Sequence, residues 1–126
     1  MRKILYLLLV VMTVSVSPLV RAQTERDISG TYWVQGTNPG GKGSYQGIAT
    51  VVKTGDAYRV HWEVGTVYQG VGKLKGNTFQ VEWGTSKENV GTVTYQLQPD
   101  GSLKGTWYVA KNPESLGTET LSPKRK

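Results

Sequence analysis

The stretch Gly36-Thr37-Asn38-Pro39-Gly40-Gly41-Lys42-Gly43 comes close to a phosphate-binding loop. Such a loop needs a Ser or Thr directly after the lysine to hold Mg²⁺, and a helix start whose amides cradle the phosphate. Position 43 is glycine, and the following 45–53 alternates like a strand, so the segment reads as a flexible connector lying over one end of the fold. His61 is the sole histidine and there is no cysteine, so no zinc ligand set is expected. Glu63 and Glu82 are the carboxylates best suited to acid–base work. A glycosidase, however, needs two carboxylates flanking a cleft, and strand parity turns His61, Glu63 and Glu82 outward. No nucleophile turn accompanies them. The chain is therefore read as a non-enzyme, with no catalytic residue, metal or cofactor.

Glu119 has two readings. It shares parity with Leu121, which would turn it inward, where tyrosine hydroxyls could donate to it. In the other registration Leu116, Thr118 and Thr120 face inward and Glu119 is wet.

The stronger chemical signal is aromatic. Tyr32, Tyr45, Tyr58, Trp62, Tyr68, Trp83, Tyr95 and Trp107 share one strand parity with Phe79, and only Trp33 and Tyr108 take the other. Buried tyrosine hydroxyls and indole N–H groups require partners. So many polar tips either satisfy one another in a filled core or line a wet pocket for a small apolar or planar ligand. Tyr45, Tyr68, Trp83 and Trp107 lie near strand ends, where a mouth would be.

These residues sit on repeated hairpins. Tyr45 to Trp62, Tyr68 to Trp83 and Tyr95 to Trp107 each run to a tight turn and return with a tryptophan at the same parity. Spacing of two along every arm is that of a strand with one buried face. Strands are expected at 28–36, 44–53, 57–64, 66–74, 78–84, 90–98, 102–110 and 116–122, joined at Thr54-Gly55-Asp56, Val64-Gly65-Thr66, Lys75-Gly76-Asn77 and Pro99-Asp100-Gly101. No mature segment has a 3.6-residue apolar period. The fold class is all-β: an antiparallel up-and-down meander of about eight strands closed as a small calycin-like barrel. The last strand pairs with the first and removes both edges. Inward glycines (Gly30, Gly47, Gly70, Gly72, Gly91, Gly105) leave room for neighbouring rings.

Residues 1–22 read as a signal peptide: Arg2 and Lys3, an apolar run too short to span a bilayer, and Val20-Arg21-Ala22 before cleavage. Residues 23–123 form a single domain and 124–126 a basic, solvated tail. The export signal implies a periplasmic or extracellular protein with no membrane span in the mature chain. The absence of cysteine suits a bacterial one. The formal charge of +6 overstates the basic character. Without Arg2, Lys3 and Arg21 the chain holds 12 basic and 9 acidic residues, and three of the basic ones are the tail. The rest are scattered, so no nucleic-acid partner is expected.

Gly30-Thr31-Tyr32-Trp33-Val34, Tyr45-Gln46-Gly47, Tyr58-Arg59-Val60-His61-Trp62, Gly70-Val71-Gly72, Asp100 to Trp107 and Leu116 to Leu121 are similar to a family of small exported bacterial proteins, some labelled fibronectin-binding protein. That label implies adhesion to host matrix. Gly30-Thr31-Tyr32-Trp33 also resembles the Gly-x-Trp opening strand of lipocalin- and avidin-type barrels, shifted by one residue. Neither resemblance brings a catalytic residue.

Two functions follow as expectations. The first is a binding protein with an aromatic-lined interior or mouth. The second is a surface-interaction protein that meets an extracellular partner through Trp33, Tyr108 and the 36–43 loop.

Overall fold

The computed structural model describes residues 26–125, so the expected signal peptide lies outside the described residues. Eight antiparallel strands follow one another around a closed barrel. They are β1 (Gly30–Thr37), β2 (Ser44–Thr54), β3 (Ala57–Glu63), β4 (Val67–Lys75), β5 (Thr78–Gly84), β6 (Val90–Leu97), β7 (Leu103–Val109) and β8 (Gly117–Pro123). Every strand pairs with its neighbours in sequence, and β8 closes on β1 from Tyr32↔Pro123 to Thr37↔Thr118. The seam carries a side-chain bond between the Thr37 and Thr118 hydroxyls at 2.8 Å. The expected meander and its closure by the last strand are both present, with strand limits within two residues of those read from alternation.

Parity holds around the barrel. Buried side chains include Tyr32 and Val34 of β1, Ala49 and Val51 of β2, Tyr58, Val60 and Trp62 of β3, Phe79, Val81 and Trp83 of β5, Val93 and Tyr95 of β6, and Leu121 of β8. Arg59, Glu63, Gln69, Lys73, Gln80, Glu82, Gln96 and Lys104 alternate with the buried positions and are exposed. An apolar interior and a polar outer wall are the reverse of barrels whose outward side chains face lipid.

The glycine–ring pairing is literal. Gly36 stands opposite Tyr45, Gly91 opposite Trp83 and Gly117 opposite Trp107. A Cβ on these glycines would come within 2.4 Å of the Tyr45 ring, 2.5 Å of the Trp83 ring and 2.7 Å of the Trp107 indole nitrogen, respectively. Each ring therefore lies flat against its neighbouring strand, which a side chain there would forbid.

The two ends differ. At one, β2–β3 and β4–β5 turn on two residues each, Gly55-Asp56 and Gly76-Asn77, with both glycines at positive φ (65° and 61°). Ile28, Tyr32, Tyr58, Phe79, Leu97 and Leu103 are buried in the cluster that fills the barrel. The β6–β7 connection at this end spans 98–102; at the other end β3–β4 turns through 64–66 and the remaining connections are longer. Residues 38–43 contain a 3-10 turn at Pro39–Gly41, and 85–89 and 110–116 also separate strands there. The near-phosphate loop is thus a connector with no long helix behind it, as its glycine at position 43 implied. Of the tail, Lys124 and Arg125 are exposed, and Lys124 is docked on β1. The Lys124 amide bonds Thr31 O at 2.9 Å, and its ammonium lies 5.0 Å from the Trp33 ring.

Candidate functional site

A pocket of about 280 Å³ opens among the longer connections. That is just below the roughly 300–1,000 Å³ typical of small-molecule sites. Alternation aims Tyr45, Trp62, Tyr68, Trp83 and Trp107 into it from β2, β3, β4, β5 and β7, and Glu119 from β8. Asn38 and Asn89 belong to the flanking connections and contribute amides to the lining.

Four of the rings form a continuous edge-to-face chain. Tyr45 meets Trp107 at 6.2 Å between centroids, Trp107 meets Trp83 at 5.9 Å, and Trp83 meets Tyr68 at 5.6 Å, with interplanar angles of 70°, 76° and 89°. This geometry is the favoured one for aromatic pairs and fixes the rings through mutual contact.

Glu119 faces inward, so the registration that left it in water is overturned: the residue is 6% exposed. Three donors from three strands hold the carboxylate. The Tyr45 hydroxyl donates to Oε1 at 2.6 Å, the Trp62 indole N–H donates to Oε2 at 2.9 Å, and the Tyr95 hydroxyl donates to Oε2. Glu119 stands opposite Gly36 on β1 and Gly105 on β7, and the space beside Gly36 is filled by the Tyr45 ring, whose hydroxyl donates to the carboxylate. Burial pushes its pKa above the ordinary value of 4.5, while the bonds from Tyr45, Tyr95 and Trp62 pull it back. Burial and the neighbouring carboxylate also push the Tyr45 and Tyr95 hydroxyls above their usual range, so both stay protonated donors. The Trp107 indole N–H is buried without a hydrogen-bond partner among the described residues.

The expected aromatic set divides in three. Tyr45, Trp62, Tyr68, Trp83 and Trp107 line the pocket. Tyr95, fully buried, lies beneath it, stacked on Phe79 at 5.9 Å and reaching the floor only through Glu119. Tyr32 and Tyr58 are not among the lining residues and serve the core. The Tyr32 hydroxyl donates to Ile28 O at 2.6 Å, and Tyr58 packs edge-on against Phe79 at 5.6 Å. Glu119, whose orientation alternation leaves open, joins the five lining rings.

The outer-wall residues are not brought together. Trp33 is 51% exposed and Tyr108 half-buried. Trp33 pairs with Ser122, whereas Trp107, next to Tyr108, pairs with Gly117. Five residues of β8, roughly 17 Å at 3.4 Å each, separate the two levels. Glu63 and Glu82 are exposed on the outer wall, and His61 bonds Glu63 there at 3.3 Å. Among the described residues, no group of His, Cys, Asp and Glu could hold a metal ion. Compared with known proteins, the chain matches no family model and no curated protein.

Proposed function

We propose that this protein is an exported, non-enzymatic binding protein that holds one small, mainly apolar or planar ligand in the open end of its barrel. The observation that carries this reading is the five-ring pocket around a buried, triply hydrogen-bonded carboxylate. A core that needed only to be filled would have no use for Glu119. Burying a carboxylate is costly even when it is hydrogen-bonded. Here three strands contribute donors to keep it at the floor of a cavity. The opposite end shows what the same chain does where packing alone is required: Phe79 and Leu103 are fully buried there within the apolar cluster.

The adhesin-like alternative, with an extracellular protein on the outer wall, is less supported, because Trp33 and Tyr108 stand at different heights with β8 between them.

Purification from the native compartment followed by organic extraction and mass spectrometry tests the ligand reading. A stoichiometric small molecule is expected from the wild type and is lost from Trp83→Ala. Ligand-free protein in which Trp83→Ala lowers only stability would overturn it.

A further inference from the structure

The pocket lining is electrically one-sided. Its twelve residues include one acid, Glu119, and no Lys, Arg or His. The ion pairs among the described residues are His61–Glu63 and Lys73–Asp56, both outside the barrel, so the buried carboxylate has no basic partner. Buried carboxylates are normally paired with a cation or a metal. The three groups that do hold Glu119 are neutral donors, and Trp62 can only donate. They satisfy the lone pairs of a carboxylate without cancelling its charge. Oε1 accepts a single bond, from Tyr45, and retains acceptor capacity beside the cavity.

Above this carboxylate stand the rings of Trp83, Trp107 and Tyr68. Aromatic walls attract cations through the ring quadrupole, most strongly where the site is shielded from water. An anionic head would meet Glu119 with repulsion. A purely neutral ligand would offer the ionised carboxylate no countercharge.

We propose that the ligand carries a compact substituted ammonium group, seated over Glu119 and walled by Trp83, Trp107 and Tyr68. This deepens the binding reading above and rests on it. At about 280 Å³ the cavity admits a head of this kind with a short body, not an extended chain. The connections around the mouth carry Lys42, Lys87 and Lys111 against Glu88 and Glu114, all exposed, so salt screens their influence more than that of Glu119.

The test compares charge at constant shape. Binding of benzyltrimethylammonium and of its neutral carbon isostere neopentylbenzene is measured by tryptophan fluorescence and calorimetry on the wild-type protein, with benzoate as the anionic control. The ammonium is expected to bind at least about tenfold more tightly than the isostere, and benzoate not at all. On acidification this preference should shrink as Glu119 takes up a proton. The other titratable groups facing the site are tyrosines: Tyr68, and Tyr45 and Tyr95, whose hydroxyls burial and Glu119 hold above their usual range. Glu119→Gln should abolish the preference while retaining the isostere. Tyr32→Phe, in the core outside the pocket lining, should keep the preference, and the wild-type comparison of the two probes stands on its own should the Gln variant fail to fold. Equal binding of both probes by the wild type would overturn the cation inference and leave the pocket standing. Failure of all three probes to bind, up to millimolar concentration, would overturn both.

Discussion

Glu119 sets the chemistry of the interior and also its dependence on pH. Its folded pKa lies above the ordinary carboxyl value of 4.5, chiefly because burial penalises the charged form. The folded chain therefore binds a proton more tightly than the unfolded chain, and stability falls as pH rises from about 4.5 to the raised value. Below 4.5 the profile is flat and this contribution is fully present, because both states are protonated. Urea unfolding across this window should show the midpoint declining with pH in the wild type and a flatter profile for Glu119→Gln. Tyr32→Phe belongs to the opposite end. It removes the buried bond to Ile28 O and should cost about 1 kcal/mol of stability while leaving ligand affinity unchanged, as chemical denaturation and calorimetry would show. These two residues also mark how far the sequence could be read. Parity placed both rows of side chains correctly on most strands. It could not decide Glu119, because each face of 116–121 offers one leucine. The deciding groups, Tyr45, Trp62 and Tyr95, come from strands far away in the chain. Nor does alternation reveal height along the barrel axis, which strand tilt and stagger determine. So Tyr32 and Tyr58 had the same appearance as Tyr45 and Tyr68, yet they belong to the core rather than the mouth.

Within the strands, glycines facing Tyr45, Trp83 and Trp107 are the structural device that lets the pocket end be so aromatic. Gly91 shows the requirement most sharply. A Cβ there would approach Tyr108 O to 2.0 Å and the Trp83 ring to 2.5 Å. The backbone atom cannot swing aside as a side-chain tip could. Gly91→Ala should therefore cost about 1–3 kcal/mol, as overpacking does, and should displace Trp83 from its place in the pocket wall. Denaturant midpoints measure the first effect and tryptophan emission the second. The hairpins themselves were legible, since Gly55-Asp56 and Gly76-Asn77 turn where their residue types say they should. Glycine parity was legible in part: Gly91 receives the Trp83 ring, whereas Gly30 is exposed with open space beside it, and Gly36 and Gly117 lie outside the expected set. Which ring each glycine receives depended on register, and register only became visible with the pairs Gly36↔Tyr45, Trp83↔Gly91 and Trp107↔Gly117.

At the scale of the whole molecule, closure is what makes a cysteine-free chain of this size hold together. The β1–β8 seam joins residues some eighty positions apart, such as Thr37 and Thr118, so it forms only after a long loop has been closed. Removing residues 117–126 should leave β1 and β7 with free edges. Such a chain is expected to associate through those edges, visible by light scattering as loss of the wild-type species. The same truncation removes Glu119, so any residual soluble material should have lost discrimination between cationic and neutral ligands. The three longest connections, 38–43, 85–89 and 110–116, lie together at the pocket end and frame its mouth.

The edge-to-face contact between Trp83 and Trp107 has an optical consequence. Two indoles 5.9 Å apart and inclined at 76° are close enough for their electronic transitions to couple. A coupled pair of this kind gives a circular-dichroism signal of paired, opposite sign, which vanishes when either ring turns. The protein thus carries an intrinsic chiroptical gauge of its own mouth. A guest that wedges between the rings would change the signal's amplitude with no label attached, and either Trp83→Phe or Trp107→Phe would silence it.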